Sequence, residues 1–312
     1  MPYRIFAPIA FAALLMSGCG AGETTQDVPS ATEAKPATTV EAPIANDIVA
    51  ITRTGNAAGR TVVLIPGLAS SAAVWDDTVH ALDAEYDLRI VQVAGFAGAA
   101  PADSEGQYTD AIAEAIAKSL AEAPGQETVL VGHSLGGFVA MKTALMAPDV
   151  VEELIIVDSL PFLAGLFNPA ATPELSATQG QFMATQMAAL PRETFDAQQA
   201  AGVGRLVKTQ DYAPTIIEWG KASDQATVAK AMGELIATDM RPALEKLTQE
   251  TLIMMSWDAA MGAPQEQVLA IYEGQYAAAP NARIETIEGA FHFIMVDQTE
   301  VFLARLKAAL AD

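Results

Sequence analysis

Residues 128–141, TVLVGHSLGGFVAM, decide the fold predicted for this chain. The stretch begins with an apolar run typical of a buried strand, passes through GHSLG at 132–136 and continues with the composition of a helix. A strand, the pattern G-x-S-x-G and a helix in that order indicate a nucleophilic serine on a sharp turn. The two glycines remove side chains that would collide across the turn, and a helix N-terminus favours negative charge beside it. We therefore predict that Ser134 is a nucleophile.

Strand-like and helix-like segments alternate on both sides of this motif. Apolar runs typical of strands lie at 48–51, 61–65, 88–93, 154–158, 251–255 and 282–287, and helical patterns lie at 108–121, 265–276 and 300–310. Between 161 and about 247 the strand runs stop, and amphipathic helical stretches such as 179–190 and 226–236 replace them. The pattern predicts an α/β fold with a mostly parallel sheet, helices on both faces and a helical cap inserted at about 161–247.

The first 47 residues carry a targeting pattern. A basic residue precedes a short apolar segment, the single cysteine, Cys19, follows it, and the composition then turns to Thr, Ala, Pro and Glu. This indicates a signal peptide at 1–18 and a disordered tether at 19–47. The residues MSGC that end at Cys19 resemble the bacterial lipobox, which predicts lipidation; an ordinary secretory signal with a spare cysteine is the alternative. The body, 48–312, is expected in a bacterial cell envelope, facing the periplasm on a lipid anchor, or secreted.

Composition excludes several classes of function. Acidic residues outnumber basic ones 38 to 17, and the formal net charge of −21 argues against nucleic-acid binding and against attraction to anionic lipid headgroups. One cysteine and three histidines allow no intrachain disulfide and argue against a metal centre, and no cofactor is predicted. A membrane contact is expected through the lipid anchor only. The sequence sets no oligomeric state.

A nucleophilic serine needs a base, and histidine is the usual one at neutral pH. His80 lies in a predicted surface helix, and His133 is expected to point away within the turn. His292 follows the last predicted strand. Because the loops after parallel strands share one edge of a sheet, we predict that Ser134 and His292 meet there.

The remaining catalytic groups are expected in other loops after strands. Asp258 is the first choice for the carboxylate that orients the histidine, and Asp158 is the alternative. Two backbone N–H groups are needed for the oxyanion of the intermediate. We predict Leu135, directly after the nucleophile, and Leu68, directly after the turn made by Pro66 and Gly67.

Together these segments resemble the α/β-hydrolase superfamily over residues 48–312. The similar segments are VVLIPGLASSAAVW at 62–75 for the oxyanion loop, VLVGHSLGGFVA at 129–140 for the serine turn, TLIMMSWD at 251–258 for the acid strand, and IEGAFHFIMVDQTEVF at 287–302 for the histidine loop. Pro66 stands where the family usually has His, and Asp258 follows its strand one residue earlier than is usual. The resemblance implies the order Ser, Asp, His.

We expect a serine hydrolase that cleaves a small or acyl-chain carboxylic ester, with a small-molecule ester as its partner. Other chemistry on the same residues is an alternative: acyl transfer, aminopeptidase action, C–C bond hydrolysis or perhydrolase action. A non-catalytic ligand-binding protein and a structural envelope lipoprotein are further alternatives, although the order of Ser, Asp and His argues against both. An apolar acyl pocket is predicted from the cap residues Phe162, Leu163, Leu166 and Phe167.

Overall fold

The structure, a computed structural model, describes residues 44–45, 47–122 and 127–311. The predicted signal peptide, Cys19 and nearly all of the predicted tether lie outside these residues. Within them, no helix is both long enough and apolar enough to cross a membrane.

The described chain folds around one eight-stranded sheet, in the order β1-β2-β4-β3-β5-β6-β7-β8. The strands are β1 Ile44–Ala45, β2 Val49–Gly55, β3 Thr61–Ile65, β4 Asp87–Val93, β5 Thr128–His133, β6 Val151–Val157, β7 Glu250–Trp257 and β8 Ala282–Glu288. β2 runs antiparallel to β1 and β4, and every other neighbouring pair is parallel. The predicted α/β class with a mostly parallel sheet is confirmed.

Helices cover both faces of the sheet. They are α1 Asp76–Leu82, α2 Tyr108–Ala121, α3 Leu135–Met146, α4 Ala164–Phe167, α5 Pro173–Ala189, α6 Arg192–Val203, α7 Ala213–Ala222, α8 Gln225–Ala237, α9 Gln265–Tyr276, α10 Ile294–Asp297 and α11 Thr299–Ala311. Side chains of α2, α3 and α9 belong to the apolar core on one face. Those of α1, α10 and α11 belong to the core on the other.

The apolar run of β3 shows why the sequence folds in this way. All five of its residues are buried. Val63 and Ile65 lie in the core that contains α2 and α3, whereas Val62 and Leu64 lie in the core that contains α1 and α11. Successive side chains of a strand point to opposite faces. An unbroken apolar run is therefore what a strand covered on both sides requires.

Five helices, α4 to α8, lie between β6 and β7, in the segment where the sequence predicts a cap. We refer to them as the cap helices. α5 packs against α8, and α8 packs against α2 of the body. α5 begins at Pro173 rather than at the predicted position 179, because the Thr172 hydroxyl accepts a hydrogen bond from the Leu175 N–H (3.3 Å) and caps the helix.

Candidate active site

Ser134 occupies a strained turn between β5 and α3. Its φ of 54° and ψ of −119° fall in a region that residues other than glycine rarely adopt. A Cβ at Gly132 would clash with the backbone of Gly136, and a Cβ at Gly136 would clash with the backbone of Ile65. The two glycines are therefore required where the motif places them. The Ser134 side chain lines a cavity at the carboxyl edge of the sheet.

His292, in the loop after β8, is paired with Asp158. Its Nδ1 lies 2.7 Å from Oδ2 of Asp158. Oδ1 of the same carboxylate accepts hydrogen bonds from the N–H of Ser256 (2.8 Å) and from the hydroxyl of Tyr272 (3.0 Å). Burial raises the pKa of Asp158, but the hydrogen bonds from His292 and Ser256 outweigh burial and hold that pKa below its usual value. Asp158 is therefore a carboxylate at neutral pH.

The prediction that Asp258 contacts the histidine is wrong. Oδ2 of Asp258 accepts a hydrogen bond from Nζ of Lys208 (2.6 Å), which lowers the pKa of Asp258, and Oδ1 accepts from the N–H of Ala260 (2.8 Å). The strand ends explain the difference: β6 ends with Val157 opposite Met254, whereas β7 continues to Trp257. At about 3.3 Å per residue, Asp258 lies roughly 10 Å farther along the strand direction than Asp158.

Backbone strain also marks Asp158. Among the described residues, the non-glycine residues with positive φ are Ala69, Ala97, Ser134 and Asp158, and all but Ala97 line the cavity. Strained residues of this kind concentrate at functional sites. Asp158 has a φ of 46°, and aspartate is among the residues that tolerate this region best. The sequence feature that could have identified Asp158 is its position directly after a buried strand. Asp258 has the same feature, so it does not distinguish the two aspartates.

The two predicted oxyanion donors both line the cavity beside the serine. Leu135 begins α3, and Leu68 follows the turn after β3. Neither backbone N–H donates a hydrogen bond to another residue that the structure describes. A Cβ at Gly67 would press against the side chains of His133 and Ser134, so glycine keeps this approach open. Binding of a substrate oxygen by these two N–H groups stays a prediction.

His133 is buried and contacts the backbone of the histidine loop. Its Nε2 lies 2.9 Å from the carbonyl oxygen of His292. Because a carbonyl oxygen only accepts, Nε2 carries the proton, and Nδ1 has no partner among the described residues. Burial, together with the neighbouring His292, lowers the pKa of His133 from 6.5 to about 3. His133 is therefore neutral, and it positions His292, a role that its place in the sequence did not indicate. His80 is exposed, as predicted.

Asp297, in α10, fixes the histidine loop from the other side. Its carboxylate accepts hydrogen bonds from the N–H groups of Phe291 (2.9 Å) in the loop and Thr209 (2.8 Å) after α6. The N–H of Phe293 donates to the carbonyl of Leu206 (3.0 Å). The chain on each side of the histidine is thus joined to the segment that follows α6.

The cavity above the serine has a volume of about 490 Å³ and lies beneath the cap helices. Ser134 and His292 both line it, at the edge of the sheet where the sequence predicts that they meet. All five cap helices contribute to its walls. Leu163, Leu166 and Phe167 line it as predicted, whereas Phe162 is packed in a separate apolar cluster. In the described part of the chain, no three His, Cys, Asp or Glu side chains are grouped so that they could hold a metal ion.

A mostly parallel sheet of this strand order, with a strained serine between β5 and α3, defines the α/β-hydrolase fold. A family model described as the alpha/beta hydrolase family matches residues 62–305. This chain belongs to the alpha/beta hydrolase family, which confirms the predicted superfamily and the prediction of a hydrolase.

Relatives and solved structures agree with this assignment. The chain is 29% identical over 259 residues to the pimeloyl-[acyl-carrier protein] methyl ester esterase of Edwardsiella ictaluri (strain 93-146), covering 81% of this chain and 94% of the relative. A hydrolase from Pseudomonas aeruginosa PA01 superposes with a TM-score of 0.68 at 20% identity, covering 88% of this chain and 98% of that one. A thermophilic esterase from Thermogutta terrifontis, solved with malate bound, superposes with a TM-score of 0.66 at 21% identity and the same coverage. These structural likenesses show the fold.

Proposed function

We propose that this protein is a serine hydrolase that cleaves carboxylic esters through an acyl-enzyme. The observation that supports this most directly is the hydrogen bond between His292 and Asp158 (2.7 Å), in the cavity that the strained Ser134 also lines. With Nδ1 held by the carboxylate, the Nε2 of His292 takes the proton from the Ser134 hydroxyl as it attacks the ester carbonyl. Asp158 then stabilises the imidazolium.

The rest of the cycle uses groups that are fixed before the reaction. The backbone N–H groups of Leu68 and Leu135 bind the oxyanion of the tetrahedral intermediate. His292 gives its proton to the leaving alcohol and leaves the acyl group on Ser134. Water, deprotonated by the same histidine, then attacks the acyl-enzyme and releases the carboxylic acid.

The choice of an ester is supported by the relatives. The Edwardsiella ictaluri relative is named for methyl ester hydrolysis, and the Thermogutta terrifontis structure is an esterase. The cavity of about 490 Å³ lies within the usual range for small-molecule sites, about 300–1,000 Å³. A small-molecule ester is therefore the substrate that we propose.

A fluorophosphonate probe and a panel of p-nitrophenyl esters test this proposal. We expect the probe to label Ser134 in the intact chain and the short-chain esters to be cleaved. Ser134→Ala removes both activities, whereas Ser159→Ala, which changes another serine of the same cavity, retains them. A wild-type protein that takes no label, or that cleaves no short-chain ester, refutes the proposal.

We also propose, from the sequence alone, that Cys19 is lipidated and holds the enzyme in the cell envelope. Cell fractionation of a Cys19→Ser variant tests this. The variant is expected in the soluble envelope fraction, and its retention in the membrane fraction contradicts the anchor.

A further inference from the structure

The walls of the cavity lack charge apart from the groups proposed for catalysis. Asp158 is the one acidic side chain among the lining residues, and no lysine or arginine is among them. Most of the other lining residues are apolar, and they come from every cap helix. The polar residues that line the cavity include two glutamines, Gln179 and Gln199, and Asn168. Among the residues that the structure describes, a bound group in this cavity therefore finds no lysine or arginine to pair with.

The segment that forms one wall of the cavity also carries almost no charged side chains. Residues 159–191, which contain α4 and α5, carry a single charged side chain, Glu174, in a chain of which 18% is charged. Burial does not explain this, because most of α5 is exposed. Phe182, which lines the cavity, is itself 64% exposed. Exposed helix positions normally carry charged residues, so this wall presents an unusually neutral surface to an entering molecule.

The physical consequence differs for neutral and anionic acyl groups. An alkyl chain gains free energy when it leaves water for walls of this kind. A carboxylate at the end of the same chain loses its hydration without gaining a partner. It also meets the negative charge of Asp158, whose side chain is largely buried, so that the repulsion is less screened than at the surface.

We propose that the cavity binds the neutral, apolar acyl chain of the ester and rejects acyl groups that end in a carboxylate. Cleavage of the ester bond of such a substrate rests on the proposed ester hydrolysis. The preference for neutral over anionic acyl groups is a property of the cavity walls. It can be measured as a difference in binding affinity, without turnover.

Binding to the Ser134→Ala variant tests the selection directly. The two ligands are 2-octanone and 7-oxooctanoate, which differ only in whether the chain ends in a methyl group or a carboxylate. Calorimetry at high ionic strength, where the repulsion by the net charge of −21 is screened, is expected to show at least about 100-fold weaker binding of the carboxylate. Equal affinities, or no binding of the neutral ketone, would overturn the proposal.

Kinetics of the wild-type enzyme extend the test to the reaction. p-Nitrophenyl hexanoate and the p-nitrophenyl half-ester of adipic acid again differ only at the terminal carbon. We expect kcat/KM to favour the hexanoate by about 100-fold at high ionic strength. Similar values with active enzyme would sink the selection and leave the ester hydrolase intact. Failure of all ester cleavage would sink the hydrolase proposal, while the binding experiment still decides the selection.

A matched pair of lysine substitutions locates the cause. Gln179 and Gln181 are both exposed on α5, but only Gln179 lines the cavity. Gln179→Lys is expected to raise kcat/KM for the adipate half-ester about tenfold relative to the hexanoate, because it supplies a cation at the wall. Gln181→Lys adds the same charge outside the cavity and is expected to leave this ratio unchanged. Equal effects of both variants would mean that net charge, and not the cavity wall, sets the selection.

Discussion

The carboxylate of Asp158 is held by its own backbone as much as by its partners. Its φ of 46° places it in the left-handed region, and its N–H donates to the carbonyl of Met254 (2.9 Å). Such a conformation costs on the order of 1–3 kcal/mol. The hydrogen bonds to His292, Ser256 and Tyr272 hold the side chain once the backbone has turned it into the cavity.

The two candidate aspartates can be separated by one substitution each. Asp158→Asn is expected to lower kcat for ester hydrolysis by about 10⁴-fold, because the amide favours the wrong tautomer of His292 and cannot stabilise its protonated form. Asp258→Asn removes an ion pair in which the Lys208 side chain is half exposed, and kcat is expected to stay within about threefold of the wild type. The reverse ranking in steady-state assays would restore Asp258 as the acid.

His133 makes stability depend on pH in a predictable direction. Its pKa is lowered from 6.5 to about 3 in the folded protein, chiefly by burial. As the pH falls below 6.5, the unfolded chain binds a proton that the folded chain cannot accept. The free energy of unfolding then decreases, by up to about 1.4 kcal/mol per pH unit, until the pH approaches 3.

A His133→Gln variant isolates this contribution. Its side-chain amide can still donate to the carbonyl of His292, but it does not titrate. Urea denaturation between pH 7 and pH 4 is expected to show a shallower loss of stability than in the wild type, by as much as about 1 kcal/mol per pH unit. Parallel curves for the two proteins would show that His133 does not carry the effect.

At the scale of elements, the histidine loop depends on the segment that follows α6. Asp297 joins the two, because its carboxylate accepts from the backbone of Phe291 and of Thr209. Phe291 and Thr209 both lie outside the strands, so the hydrogen bonds of the sheet do not fix their backbone. The position of His292, the proposed catalytic base, is thus coupled to the part of the chain between α6 and α7.

Removal of that carboxylate should affect both stability and catalysis. Asp297→Ala leaves backbone donors without their charged acceptor and is expected to lower the free energy of unfolding by about 2–3 kcal/mol. It is also expected to lower kcat more than it raises KM, because His292 loses its fixed position. Denaturation curves and steady-state kinetics measure the two effects.

Asp211→Ala provides the control for this change. Asp211 is exposed in the short helical turn Gln210–Tyr212, close in sequence to the same segment. Its substitution is expected to change stability by no more than about 0.5 kcal/mol. If Asp297→Ala behaves like this control, the carboxylate does not hold the loop.

At the scale of the whole molecule, the excess of acidic residues sets the response to salt. A net charge of −21 destabilises the compact state through self-repulsion. Added salt screens that repulsion, since the Debye length falls to about 8 Å at 0.15 M. We therefore expect Tm to rise with ionic strength, by about 2–4 °C for each kcal/mol of repulsion removed.

Calorimetry in sodium chloride and in choline chloride checks this expectation. Screening depends on ionic strength, so the two salts should raise Tm alike. A Tm that does not change, or that falls, would show that ion pairs such as those of Arg53 and Arg60 outweigh the general repulsion.

The sequence by itself determined the sheet class and the place of Ser134 and His292 beside one cavity, while their catalytic roles stay proposals. Each of these rests on a local pattern: apolar runs such as 61–65, and the glycines around Ser134 that a tight turn requires. His292 could be chosen because the chain has only three histidines and loops after parallel strands meet at one edge. The steric requirements of a tight turn and the alternation of side chains along a strand do not depend on distant residues. They can therefore be inferred from the sequence before the fold is known.

Only the tertiary structure decided which aspartate reaches His292 and what His133 does. Asp158 and Asp258 both follow apolar strands, and no local pattern separates them. The strand ends separate them, because β7 continues to Trp257 while β6 ends opposite Met254. The bond from His133 to the carbonyl of His292 likewise joins residues 159 positions apart in the chain. Contacts of this range depend on how strands are aligned in three dimensions, which sequence periodicity does not encode.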